Sequence, residues 1–431
     1  MPSPKIVIIG AGFGGLKAAK LLGKKNVGQV VLIDKTNHHL FQPLLYQVAS
    51  AALSPTDIAA PIREILSQYR NTYVMMGDVV SIDKENHCIH LQNDTKIQYD
   101  YLIVATGARH SYFGNSHWEK FAPGLKTLDD ALTIRERILM SFERAEGSAC
   151  DKEVEKHLNF IIIGGGPTGV EMAGAIAEIA HKTMRDDFRK INVSKTKIYL
   201  VEGLSHLLNT YPEKLSNRAR RDLTKLGVDV ITGKRVTDIT EDGVLIGDTF
   251  IPTHNVIWAA GNQASPLLKT LNSELDKQGR VIVDADLSLP NHPEIFVIGD
   301  AACAKDKNGQ PIPAVAPAAM QQGRYVAKLI IKQLPKEKRP AFKYLDKGSM
   351  AMVATGKAIM KMGPIELSGW LAWLGWGFIH ILFLIGFRNR LGVCLEWIYE
   401  LITGGRRSRL ISKPIEDYEK SHKARLAAIK D

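Results

Sequence analysis

Two glycine triplets carry the first recognisable chemistry in this 431-residue chain. "VIIGAGFGG" places Gly10, Gly12 and Gly15 after an apolar run, and "IIIGGGPTG" places Gly164, Gly166 and Gly169 after another. In such a triplet the first glycine makes a tight turn, the second lets backbone approach a phosphate, and the third lets a helix pack closely on a strand. The chemistry is capture of a dinucleotide pyrophosphate by backbone N–H groups at a helix N-terminus. A carboxylate belongs at the end of the following strand, where it accepts hydrogen bonds from ribose hydroxyls. Asp34 closes "QVVLID" 19 residues after Gly15, and Glu202 closes "KIYLVE" 33 residues after Gly169. The polar segment "HKTMRDDFRKINVSKTK" accounts for the longer second spacing.

Each triplet needs a strand before it and a helix after it. "KIVII" and "NFIII" are continuous β-branched runs, as strands of a parallel sheet covered on both faces should be. "YDYLIVATGA" and "HNVIWAAGNQA" are further apolar strands that break at a small-residue turn, each about 95 residues after its triplet begins, which marks an internal duplication. Two nucleotide sites imply two nucleotides, and the length suits two or three domains. Lys and Arg exceed Asp and Glu by 11, a charge that suits an acidic ligand or an anionic membrane surface. No aromatic interleaving or recognised module points to nucleic acid. Cys88, Cys150, Cys303 and Cys394 form no CxxC pair, which argues against a zinc site, a dithiol redox centre or a secreted disulfide framework. The N-terminal apolar run reaches Gly10 too soon for a signal peptide.

With both triplets placed, the chain resembles flavoproteins with two dinucleotide-binding domains, in which the first site holds non-covalent FAD and the second NAD(P)H. The fold class this implies is α/β, with two Rossmann-like domains and a C-terminal helical membrane-attachment region. The expected FAD domain is discontinuous, residues 1–115 and 280–335, with an NADH domain at 116–279 between them and a membrane-association region at 336–431. "EIFVIGDAA" resembles the family segment that returns the chain to the flavin, which implies a role for Asp300 at the ribityl or phosphate region. The resemblance implies FAD contacts from Gly10, Gly12, Phe13, Gly14, Gly15, Asp34 and Lys35, then Val79, then the Ala105, Thr106 and Gly107 turn, and Ala318. For NADH it implies Gly164, Gly166, Pro167, Thr168, Gly169, Glu171, Glu202, Ala260 and Gly261. Glu202 would repel a 2′-phosphate and no Arg follows in "GLSHLLNTYPEK", so NADH is expected over NADPH.

Within that group the chain is most similar to type II NADH dehydrogenases, single-subunit NADH:quinone oxidoreductases that do not pump protons. "NHHLFQPLLYQVASAALSPTDIAAPIR" and "GGGPTGVEMAGAIAE" resemble that family, and "APAAMQQG" matches its quinone motif AQxAxQ. Ala316, Ala319 and Gln321 are in place, Gln322 follows, and Pro317 replaces the first glutamine, losing a side-chain amide and a backbone N–H. The resemblance implies that hydride passes from NADH to the flavin and two electrons pass on to ubiquinone or menaquinone. It makes Glu171 a candidate for orienting the nicotinamide or relaying protons, and it suggests a homodimer. A helix starting near Pro317 would direct its amides at the flavin. Two alternatives share the architecture: a sulfide:quinone oxidoreductase, which relies on reactive cysteines, and an NADH-binding flavoprotein with a signalling role.

A lipid quinone requires a route to the membrane. "LSGWLAWLGWGFIHILFLIGF", residues 367–387, holds no Lys, Arg, Asp or Glu, and as one helix it would reach ~31 Å, enough to span. Yet the nucleotide domains before it and Arg388, Arg390, Arg406, Arg407, Arg409 and Lys413 after it belong on one side. The expectation is therefore monotopic attachment to the cytoplasmic face of a bacterial inner membrane, with basic residues on anionic lipid. Trp370, Trp373, Trp376 and His380 fall within an arc of about 120° on a helix, a stripe expected at the lipid headgroups. His380 is the one ionisable group in the run and a candidate proton donor for quinone.

Overall fold

The computed structural model describes residues 3–411, so the part of the basic tail that holds Lys413 lies outside the described residues. In chain order, β1 (Lys5–Ile9), α1 (Phe13–Lys25), β2 (Gln29–Asp34), α2 (Leu45–Ala49), β3 (Thr72–Met76) and β4 (Tyr101–Val104) come first. Next are α3 (Leu128–Gly147), α4 (Asp151–Leu158), β5 (Asn159–Ile163), α5 (Pro167–Glu178), β6 (Lys197–Glu202), β7 (Val228–Thr232) and β8 (Asn255–Trp258). The described residues end with β9 (His292–Val297), α6 (Ala316–Ile331), β10 (Ser349–Ala354), β11 (Lys357–Met362), β12 (Ile365–Gly369), α7 (Trp370–Phe383) and α8 (Phe387–Thr403). Two compact units form: residues 1–40, 59–109 and 262–347 in the first, and 41–58, 110–261 and 348–431 in the second. The first unit is thus discontinuous, and 41–58 and the C-terminal residues group with the second.

The sheet of the first unit orders β3, β2, β1, β4 and β9, all parallel, with the short strand Ser288–Leu289 antiparallel at the edge. Ile6 to Ile9 are buried without interruption, which is why the β-branched run sits at the sheet's centre. α1 and α6 pack closely: a Cβ at Gly323 would strike the Gly14 carbonyl, and one at Gly14 would lie 3.1 Å from the Ala319 carbonyl oxygen. Small residues therefore set the depth at which α6 lies on the glycine loop.

The second unit repeats the plan. Its parallel sheet orders β7, β6, β5 and β8, and the pairing Ile163↔Trp258 of β5 and β8 repeats Ile9↔Val104 of β1 and β4. The duplication read from sequence is therefore one of strand order and register. In this unit β10, β11 and β12 form an antiparallel meander. Gly174 of α5 lies so close to the Val353 carbonyl of β10 that a side chain would collide with it.

Residues 367–387 are not one helix. Leu367, Ser368 and Gly369 finish β12, α7 has 14 residues, and Leu384 to Gly386 separate it from α8. Gly369 and Gly386 have φ of 79° and 89° at the two breaks, left-handed turns that glycine makes without strain. Among the described residues no helix is long and apolar enough to cross a membrane.

Candidate functional site

In the first unit the glycine loop is built around a turn only glycine makes easily. Gly10 has φ of 100°, and a Cβ there would run into the Ala105 carbonyl at the end of β4. The Ala11 peptide is held from both sides. Asp34 accepts its N–H at 2.6 Å, and His39, 3% exposed, donates from Nδ1 to its carbonyl at 2.7 Å. Burial lowers the His39 pKa, favouring the neutral ring, which can still donate this bond from Nδ1. The ring meets Phe13 edge-on at 5.2 Å. His39 lies inside the family-like segment, but its partner is a backbone carbonyl, which a sequence pattern does not display.

Whether these residues fit a dinucleotide can be tested directly. Nothing lies within 4 Å of where a Cβ on Gly12 would point, which leaves room for a phosphate against the backbone. Thr106 Oγ1 is buried and has no hydrogen-bond partner, an atom that a ligand oxygen would satisfy. Asp34 also accepts from the Thr36 N–H and hydroxyl, both at 2.8 Å, and keeps lone pairs for a ribose. The residues fit FAD. Gly15 follows in α1, Ala105 and Gly107 flank Thr106, and Val79 is buried, whereas Lys35 is exposed and pairs with Asp78 at 3.0 Å.

Asp300 sits in the single turn Gly299–Ala301. Gln322 holds that turn, accepting the Gly299 N–H at 2.6 Å from a buried position. α6 begins at Ala316 with Pro317 in its first turn, where the missing N–H has no intrahelical partner to lose. Ala318 and Ala319 are buried beside it. Gln321 is already engaged, donating to the Leu345 carbonyl at 2.9 Å and accepting its N–H at 3.0 Å. That pair fixes the amide and leaves its second N–H and second oxygen lone pair for a ligand.

The second unit mirrors the first. Gly164, with φ of 113°, rests on the Ala259 carbonyl, and a Cβ at Gly169 would strike the Gly164 carbonyl. Pro167 and Thr168 begin α5, Ala260 and Gly261 follow β8, and the space around Gly166 is open. Glu202 braces this loop as Asp34 braces the other, with one oxygen accepting from Gly165 N at 2.7 Å and the second from Leu204 N at 2.8 Å. The segment after Glu202 holds no arginine, but the fold brings Arg235 beside Gly203, its Cγ 3.3 Å from the Cβ position. Sequence distance concealed that neighbour.

Glu171, one turn into α5, faces a cavity of about 10 Å³ lined by Tyr46, Gln47, Met352, Glu178, Glu400 and Arg406. Burial of its carboxyl pushes the pKa up to about 8, offset weakly by the Met352 N–H at 3.4 Å. Glu171 is therefore mostly protonated at neutral pH. Tyr46, raised well above its usual value by burial and then by Glu171, donates to Met352 Sδ and accepts from Gln47, which in turn accepts the Trp397 indole N–H of α8 at 2.8 Å.

Two C-terminal expectations change. The Trp stripe does not face outward as a unit: Trp370 is 49% exposed, Trp373 is half-buried, and Trp376 is 1% exposed and packs on His380 and Trp397. Leu371, Leu374, Phe378 and Leu382 form the exposed face together with Trp370, while the Trp376 indole supplies a large area for packing against the unit. His380 donates from Nδ1 to the Trp376 carbonyl at 2.7 Å, touches Phe41, and is pushed down to about 4 by burial. It stays neutral from pH 6 to 8. Nor is Arg406 a free surface charge. It is 5% exposed and binds Glu178 at 3.1 Å, Glu400 at 2.8 Å and the carbonyls of Ser50 and Ala175. Arg407 and Arg409 pair with Glu396 and Asp187.

Residues 4–323 match the family model described as pyridine nucleotide-disulphide oxidoreductase. The type II NADH:quinone oxidoreductase Ndh of Mycobacterium tuberculosis is 42% identical over 99% of this chain and 94% of its own length. The internal alternative NAD(P)H-ubiquinone oxidoreductase A1 of Arabidopsis thaliana mitochondria is 26% identical over 94% and 86%. Among solved structures, NDH2 from Plasmodium falciparum in complex with NADH superposes with a TM-score of 0.87, covering 94% of this chain and 99% of that one at 22% identity. The sulfide:quinone oxidoreductase of Aquifex aeolicus shares the fold at a TM-score of 0.71 and 18% identity. On the full-length 42% relationship, this chain belongs to the type II NADH:quinone oxidoreductases within the pyridine nucleotide-disulphide oxidoreductase family.

Proposed function

We propose that the first unit's glycine loop, Asp34, Thr106 and Asp300 hold FAD, and that the second unit's loop and Glu202 hold NADH, in a non-proton-pumping NADH:quinone oxidoreductase. The paired, acid-braced glycine loops are the single observation that carries this reading. Bound in the first unit, a flavin supplies a two-electron relay from reduced nicotinamide to a quinone. The protein's own contribution is binding, orientation and proton supply. The first-turn amides of α6 offer donors and a positive dipole end, which favour a nearby developing negative charge. Quinone reduction to quinol consumes two protons, and the Glu171 carboxyl, protonated near neutrality, has one to give. His380, neutral with Nδ1 committed to a carbonyl, serves as a packing and hydrogen-bonding group rather than as the proton donor.

Glu202 supports NADH as the working nucleotide, since a 2′-phosphate would approach a carboxylate fixed by two amides, whereas Arg235 beside Gly203 would favour such a phosphate. The exposed faces of α7 and α8, from Leu371 and Phe378 to Phe387, Leu395 and Ile402, suit immersion in one leaflet of an anionic membrane. On this reading the enzyme docks on the cytoplasmic face of a bacterial inner membrane as a homodimer and draws ubiquinone or menaquinone from the lipid. Steady-state oxidation with a soluble quinone tests the nucleotide assignment: NADH should be used far faster than NADPH at equal concentration, and equal rates would refute it. Resistance of membrane-bound protein to both high salt and alkali would refute monotopic docking.

A further inference from the structure

α4 carries Glu153 and His157 at positions i and i+4, so their side chains leave the helix on one face. His254 reaches the same place from the residue before β8, with its N–H on the Lys156 carbonyl. The three residues each offer one ligand atom, and these atoms all lie within 4.8 Å of one another. Glu153 Oε2 and His254 Nε2 are 3.1 Å apart, and the two imidazole centroids are 4.7 Å apart.

Ser141 fixes the ring of His157. Its hydroxyl donates to the His157 carbonyl at 2.9 Å, so its oxygen is left to accept from Nδ1 at 3.3 Å. The proton therefore sits on Nδ1 and the lone pair on Nε2, the orientation that a second partner gives to metal-binding histidines.

We propose that Glu153, His157 and His254 form a binding site for a borderline divalent transition-metal ion of the Zn²⁺ class, with water completing the coordination. Two imidazoles and one carboxylate are a donor set zinc accepts. At metal–ligand distances of ~2.1 Å a tetrahedral set spaces its donors at ~3.4 Å, so the ion draws the three side chains together by rotation. Lys156 holds the other oxygen of Glu153 at 3.1 Å and leaves Oε2 for the ion. His254 and Glu153 are partly exposed, which gives the ion a way in. The site uses no cysteine, so the dispersal of the four thiols has no bearing on it.

Its position defines its role. Leu158 ends α4 one residue before β5, and the glycine loop lies at the other end of that strand, ~17 Å away for five residues. The ion ties α4 to the start of β8 and stabilises the second unit without touching the nucleotide end. The other such group among the described residues, Asp83, Cys88 and His90, offers one imidazole, and its carboxylate is occupied by Asn86. It serves as the control.

The test is calorimetric titration of the chelator-treated, desalted holoenzyme with ZnCl₂, alongside thermal melting and NADH turnover. The site predicts one ion per chain, binding at least ~10-fold weaker in Glu153→Gln and in His254→Gln, and unchanged binding in Cys88→Ala. Zinc should raise the melting temperature of the wild type but not of the two ligand variants, with turnover unchanged. Absence of binding at millimolar zinc, equal affinity in the ligand variants, or loss of binding in Cys88→Ala would each overturn the proposal.

Discussion

Glu171 shows how one residue can serve both stability and chemistry. Its ionised form is penalised in the folded protein, so the folded pKa of about 8 exceeds the ordinary value of 4.5. Stability linked to this group is fully present below pH 4.5 and is lost as pH rises through about 8. Glu171→Gln should therefore stabilise the protein at pH 9 relative to wild type and leave it little changed at pH 4, as read by urea unfolding at the two pH values. If Glu171 supplies a quinone proton, the same variant should lower turnover on the order of 10²-fold at pH 7. It should also erase an inflection near pH 8 from the kcat profile. His380→Ala should leave the shape of that profile between pH 6 and 8 unaltered, because His380 is already neutral there. A profile that lost an ionisation in His380→Ala would return it to the proton-donor role. At this scale the sequence revealed the residues whose types announce chemistry, such as Asp34 and Glu202. It hid His39, Tyr46 and Gln47, whose partners are backbone carbonyls or come from distant segments.

The helices and strands explain where the reading of elements departed from the structure. An uncharged stretch of 21 residues looks like one long helix, but glycines at 369 and 386 turn the chain at both ends of α7. Hydrophobicity reports that a segment avoids water and does not say which face meets protein and which meets lipid. Trp376 went inward because α7 has β11 and α8 to pack against, while Trp370 stays exposed. Arg406 was misjudged for a related reason: its charge is visible in "GGRRSR", but Glu178 and Glu400, which neutralise it, are far away or on another turn. Arg406→Met should cost about 3–5 kcal/mol, since it leaves two carboxylates without their shared cation. The loss should appear as faster proteolysis after Thr403 and faster amide exchange in α8. Gly174→Ala should cost about 1–3 kcal/mol, because its methyl group meets the Val353 backbone rather than a movable side chain. Wild-type unfolding in Gly174→Ala would show that β10 yields easily.

For the whole molecule, the duplication was the most legible feature. Triplet, acid and small-residue turn recur at matching intervals because each half needs the same strand order to build a nucleotide cradle, and the structure repeats even the strand pairing. How residues 348–411 group with the nucleotide fold of the second unit was not legible, since antiparallel β10 to β12 carry no motif. The central claim is that one chain passes electrons from NADH to quinone through a bound flavin. Anaerobic mixing of holoenzyme with NADH, followed by quinone, while flavin absorbance is recorded, tests it directly. Bleaching on NADH and full recovery on quinone are the predicted results. A flavin that fails to bleach with NADH, or that bleaches and does not recover with quinone, would contradict the account.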